Sequence, residues 1–166
     1  MRTMRKGHRL GRVGQRVSRR RSAGSATVEM AIVAPIVILL FLATVEMGLM
    51  VKDSLVVNSA CREGARVAGL GWTTTQISAQ VAAAATTLSA TSLTTTLQYR
   101  TCTSGTWGAW ANLTDNGTSN AAPSGAQVMV TVRYPHQLVT GGLFASVANA
   151  GKGTVNLNGK LLTLRE

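Results

Sequence analysis

The chain has 166 residues, room for one modest domain and an anchor, and a formal charge of +11 that would suit a nucleic-acid binder. The charge is concentrated at one end: nine basic residues (Arg2, Arg5, Lys6, Arg9, Arg12, Arg16, Arg19, Arg20 and Arg21) and no acid precede Ser25, while the remainder holds eight basic residues against six acidic ones. No aromatic side chain is interleaved in this arm to stack on bases, and an apolar run follows it directly, so cytoplasmic retention of Lys and Arg explains the arm and nucleic acid drops out as a partner.

From Met30 to Val45 no charge interrupts the sequence, and with Glu46 included the run reaches Val51, 22 residues in all. At about 1.5 Å per residue this is roughly 33 Å, enough to cross a bilayer core of about 30 Å, with lipid as its surroundings. The basic arm orients the segment with the N-terminus inside and everything beyond about Lys52 extracytoplasmic. Pro35 removes one helical hydrogen bond and predicts a local kink.

The run is too long for the h-region of a secretory signal and lacks an A-x-A site after it. The same objection meets a twin-arginine signal at Arg19–Arg21. A lipoprotein signal at Cys61 fails because Asn58 stands at an apolar position and Lys52 and Asp53 intervene. The junction RRRSAG–SATVEMAIVAP instead resembles a type IV prepilin signal, in which a prepilin peptidase cuts after the glycine. That resemblance implies cleavage between Gly24 and Ser25, ahead of the apolar helix, which therefore survives, and puts Glu29 at the fifth mature position. A carboxylate in hydrocarbon costs about 2.5–3.5 kcal/mol on insertion scales. Glu29 either sits at the headgroup boundary or offsets the new amine of Ser25, in its own chain or in a neighbouring subunit.

Past Val51, helical spacing of Leu55, Val56, Ala60, Val67 and Ala68 continues the helix to a glycine stop at Gly69 and Gly71. Asn58, Arg62, Ala65 and Arg66 fall on one face, and Glu63 is three residues from Arg66. VEMG (Val45–Gly48) followed by VNSACREGARVAGLG (Val57–Gly71) resembles the N-terminal region of TadE-like proteins, pilin-like components of tight-adherence (Tad/Flp) pilus machinery. Glu46, Asn58, Arg62, Glu63, Gly64, Ala65 and Arg66 match that pattern, while Met47 replaces a common aromatic and Ser59 and Cys61 replace alanines. The resemblance implies that the REGAR segment packs on the globular domain or a neighbouring subunit; composition alone reads it as a solvated amphipathic helix.

Beyond Trp72, Thr73 and Gln76 can form a capping box for a helix reaching about Ala90, with Ile77, Val81, Ala85 and Leu88 as its apolar stripe. Strand patterns follow at Leu93–Thr101, Trp107–Leu113 and Val128–Tyr134, with a loop over Asp115–Gly125 and a small terminal hairpin over Gly153–Leu164 turning at Asn158–Gly159. The expectation is an α+β fold: a basic leader (1–24), a transmembrane and extended helix (25–71), and a small extracytoplasmic domain (72–166). In that domain an antiparallel sheet packs on the long helix, with one further helix. Cys61 and Cys102, both extracytoplasmic, can form an intramolecular bridge stapling a thin core, stay as free thiols, or pair between subunits.

Catalytic groups are scarce. The acids are scattered, no metal-ligand spacing or cofactor motif occurs, and His136, the one histidine beyond the leader, is expected in an exposed loop after its strand. No enzyme, cofactor or metal is expected. The reading is a minor pilin or pseudopilin whose partners are a prepilin peptidase, other pilin-like subunits and the pilus machinery. The alternative is a membrane-tethered surface binding module that retains its leader.

Overall fold

The computed structural model describes residues 20–139 and 153–166. Most of the basic leader, with His8, lies outside the described residues. The chain forms two compact units, one up to Leu40 and one from Phe41 to Glu166.

Helix α1 runs Arg20–Gly69 and continues through Pro35. In the first unit its large apolar side chains, among them Val28, Met30, Ile32, Ile36, Leu39 and Leu40, are exposed. Among the described residues α1 is the one helix long and apolar enough to cross a membrane, and none of its most apolar stretch is buried in protein. An α-helix can carry such a surface in lipid because its backbone groups are satisfied internally.

In the second unit α1 changes character. Val57, Ala60, Cys61, Gly64, Ala65 and Ala68 form a buried stripe of small residues, letting other elements approach closely. Helix α2 (Thr74–Ala84) starts at the expected capping box, with Thr73 and Gln76 exchanging both side-chain-to-backbone bonds. It ends six residues earlier than expected, but Ile77, Val81, Ala85 and Leu88 are all buried, the last through a turn in which Leu88 N–H donates to the Ala85 carbonyl. A 3-10 turn, Ala90–Ser92, leads into the sheet.

The strands are β1 (Thr94–Arg100), β2 (Cys102–Thr103), β3 (Thr106–Trp107), β4 (Ala111–Asn112), β5 (Asp115–Asn116), β6 (Ser119–Asn120), β7 (Gln127–Gln137) and β8 (Thr154–Leu164). The main sheet is antiparallel in the order β4-β1-β7-β8, with β2–β3 and β5–β6 as separate two-stranded ribbons. Val128, Val130 and Val132 of β7 alternate into the core beside Val57 and Cys61 of α1 and Ile77 and Val81 of α2. The fold is therefore α+β, with the long helix packed on the sheet.

Three local expectations are corrected. Trp107–Leu113 is not one strand: β3 and β4 are two residues each. The expected Asp115–Gly125 loop contains the β5–β6 hairpin, turning at Gly117, whose φ is +71°. Asn158–Gly159 is not a turn but the middle of β8, paired throughout with β7. Glycine stands there because the strand crosses α1: a Cβ at Gly159 would lie 3.2 Å from the Cβ of Cys61 and from Cγ1 and the carbonyl oxygen of Val57. β7 also runs on through Pro135 to Gln137. Proline is tolerated because β1, which begins at Thr94 opposite Arg133, does not extend alongside Pro135, leaving one side of β7 an edge.

Candidate functional site

Gly24, Ser25 and Glu29 lie exposed on α1 in the first unit, and a Cβ at Gly24 would meet nothing within 4 Å. Ser25 and Glu29 are one helical turn apart, hence on one face, the spacing at which an amine at residue 25 and the Glu29 carboxylate can meet.

The REGAR segment divides between two roles. Asn58, Arg62 and Arg66 are exposed, whereas Gly64 and Ala65 are buried, so Ala65 does not share the exposure of the residues grouped with it by spacing. Glu63 accepts two bonds from Arg66, at 2.7 and 3.1 Å, and one from Gln80 of α2 at 3.1 Å. The hydrogen bonds from Arg66, then that from Gln80, hold the Glu63 carboxyl below its ordinary range, and Glu63 in turn raises Arg66. The pair therefore stays ionised to lower pH than an unpartnered glutamate would, and being at the surface it contributes little to stability.

The residue that sequence reasoning misplaced is His136. It is 5% exposed, not in an open loop, and lies near the end of β7 against α1. Its Nδ1 is 2.7 Å from Oδ2 of Asp53, and its Nε2 is 3.5 Å from Oε1 of Glu46 without meeting hydrogen-bond geometry. Oε1 of Glu46 also accepts the Val139 backbone N–H at 3.0 Å. Glu46 and Asp53 are seven residues apart, two turns along one face of α1, and both are buried. That spacing was visible in the sequence; the partner 83 residues from Asp53 was not. Lys52 lies 3.8 Å from Asp53 with most of its side chain in solvent.

A cleft of about 440 Å³ adjoins the cluster, lined by Lys52, Asp53, Thr87, Ser89, Ser92 and Tyr134 among others. The imidazole stands between the two carboxylates and turns a different nitrogen to each, so the three side chains do not converge on a common point where an ion could sit. Among the described residues no group of three or more His, Cys, Asp or Glu side chains is placed to hold a metal.

The bridge considered for Cys61 and Cys102 is absent; both are free thiols. Cys61 is buried under the sheet and its thiol donates to the Val130 carbonyl at 3.3 Å, while Cys102 is exposed on the β2–β3 ribbon opposite Trp107. Burial pushes the Cys61 thiol above its ordinary pKa, so it is both shielded and weakly nucleophilic. A maleimide reagent should label Cys102 at once in the native protein and Cys61 only after denaturation, with two thiols recovered without reductant.

Residues 24–66 match the family model described as TadE-like protein. The match covers 43 of the 166 residues, all within α1, and includes Gly24, Ser25, Glu29, Glu46 and the REGAR segment. No curated protein and no solved structure matches the chain.

Proposed function

From a first helix that carries the TadE-like segment, we propose that this chain is a pilin-like subunit, a minor pilin or pseudopilin, of a Tad-type pilus assembly and secretion system, cut after Gly24 by a prepilin peptidase. The observation that carries the reading is that the family match over residues 24–66 lies wholly within a helix whose apolar stretch is exposed. Other pilin-like subunits and the pilus machinery are its partners, and its role is structural rather than catalytic.

Because Glu46 and Asp53 are buried in the second unit, the proposed span ends before Glu46 rather than at Val51. Ser25–Val45 is 21 residues, about 31 Å at about 1.5 Å each, still sufficient to span. Glu29 then falls near the inner end, with the new amine of Ser25 as its partner. The sheet domain stands on the extracytoplasmic side, opposite the basic leader.

N-terminal sequencing of the membrane-associated protein should begin at Ser25; a chain starting at Met1 favours the alternative, a tethered surface module that keeps its leader. Glu29→Ala should leave membrane insertion intact and reduce incorporation into the assembly at least several-fold, read by fractionating sheared surface fibres from membranes. Equal incorporation of the variant would remove Glu29 from the mechanism.

A further inference from the structure

We propose that Arg100, Trp107 and Trp110 form a binding site for a carboxylated sugar chain, at the opposite end of β7 from His136.

Arg100 is the last residue of β1 and stands opposite Gln127, the first residue of β7. Its Nε donates to Oε1 of Gln127 at 2.9 Å, and its guanidinium lies 5.2 Å from the ring centroid of Trp107 and 4.5 Å from that of Trp110. These three contacts hold the group in place. Among the described residues its two terminal nitrogens have no hydrogen-bond or ion-pair partner. A guanidinium anchored through Nε keeps its terminal edge free, with two parallel N–H groups that fit one carboxylate.

The aromatic partners are held as well. Trp107 belongs to the β2–β3 ribbon, which turns at Ser104 and Gly105, both at positive φ, and is closed by the bond from Gly108 N–H to the Thr101 carbonyl at 2.9 Å. A clasp between β1 and the ribbon needs only indoles turned inward. Trp107 is instead 37% exposed, beside an arginine whose donor edge is open, so ring and cation are ordered before any ligand arrives.

The surroundings select the ligand. From Thr94 to Thr114 Arg100 is the one charged residue, and Thr101, Thr103, Ser104 and Thr106 around it carry exposed hydroxyls. A single cation with two aromatic rings on an uncharged hydroxyl surface suits a sugar that bears a carboxylate. The sugar's C–H face packs on indole, its hydroxyls bond to threonines, and its carboxylate takes the arginine fork. Gln127 and His136 are nine residues apart on β7, roughly 30 Å at about 3.3 Å each, and it is the His136 end that meets Glu46 and Asp53. With the proposed span ending before Glu46, lipid headgroups are not the ligand of a site at the Gln127 end.

The chain has three tryptophans, which makes the test local. Trigalacturonate, a short carboxylated sugar, is titrated into the full chain in nonionic detergent micelles while the indole N–H resonances are followed by NMR. Those of Trp107 and Trp110 should shift saturably and that of Trp72 should not, which separates this site from binding to the basic leader. The methyl ester of trigalacturonate keeps the rings but loses the charge, and should bind at least about tenfold more weakly, the worth of one charge-assisted contact. Arg100→Gln should lose a similar factor; the ester comparison uses the unaltered protein and decides the matter if that variant does not fold. Absence of a saturable shift at Trp107 and Trp110 overturns the site. So does equal affinity for acid and ester, or a folded Arg100→Gln that binds as wild type does. Triglutamate that binds as tightly, with the same shifts, overturns the sugar in favour of an acidic peptide.

Discussion

Gly64→Ala should destabilise the sheet domain by about 1–3 kcal/mol, the usual cost of forcing an extra carbon into a packed core. The position is the point where α1 meets α2 and β7. A Cβ there would lie 2.5 Å from Cγ2 of Val81 and 3.4 Å from Cγ1 of Val130, and both valines are fully buried with no free direction in which to retreat. Intrinsic helix propensity pulls the other way, since alanine is preferred over glycine in a helix interior by about 1 kcal/mol. A net loss therefore shows that the steric term wins. Val81→Ala removes the nearest obstructing methyl. It should cost stability alone, but in the double variant the two losses should sum to less than their separate values, because residues in contact are not additive. Thermal unfolding in micelles followed by circular dichroism gives all four corners of this cycle. Simple additivity would mean that the two helices do not meet as described.

The same glycine shows where sequence reading stops. Gly64 and Ala65 were visible as members of a motif, but spacing grouped Ala65 on one face with Arg62 and Arg66, and it is buried while they are exposed. Helical periodicity locates a stripe to within about one residue position, since successive residues lie about 100° apart, and a stripe made only of alanine, glycine and cysteine offers weak contrast. Strong patterns were legible. The alternation of Val128, Val130, Val132 and Tyr134 marked β7, and the Thr73–Gln76 box marked the start of α2, because both signals are local.

Interactions made at long range were not legible. His136 looked like a loop residue because Pro135 precedes it. Proline interrupts a strand only where a neighbouring strand needs the missing N–H, and β1, which begins at Thr94 opposite Arg133, does not extend alongside Pro135. Glu46 was counted within the membrane run because the residues around it are apolar; its burial against His136 and Val139 follows from a sheet edge some 90 residues later. Asp115, in a segment read as loop, accepts from both the N–H and the hydroxyl of Thr74 at 2.7 Å. It places a carboxylate at the N-terminus of α2, where the helix dipole favours it. Cys61 and Cys102 could have paired by compartment and spacing alone, and only the packing of α1 under β7 shows the first thiol turned into the core.

Asn120→Ala should cost roughly 2–3 kcal/mol, near the upper end for a buried polar group stripped of its partner. The end of α1 is a Schellman turn: Trp72 N–H donates to the Val67 carbonyl and Gly71 N–H to the Ala68 carbonyl, with Gly71 at φ +89°. Asn120, 3% exposed, completes it. Its Nδ2 donates to the carbonyls of Ala68 and Trp72 at 3.1 and 3.0 Å, its Oδ1 accepts from Ala122 N–H at 3.3 Å, and its backbone N–H donates to the Gly71 carbonyl. One side chain thus ties the β5–β6 hairpin to the turn that leads from α1 into α2. Alanine leaves the Trp72 carbonyl without this donor and the Ala122 N–H without this acceptor. Asn120→Asp separates shape from chemistry. It is nearly isosteric, but its carboxylate would present oxygen to two carbonyl oxygens, so it should destabilise at neutral pH at least as much as alanine does. Lowering the pH until the new carboxyl protonates should recover part of that loss relative to wild type, since a protonated acid can again donate to one carbonyl. Equal melting temperatures for wild type and Asn120→Asp at neutral pH would show that the α1 terminus does not depend on this amide.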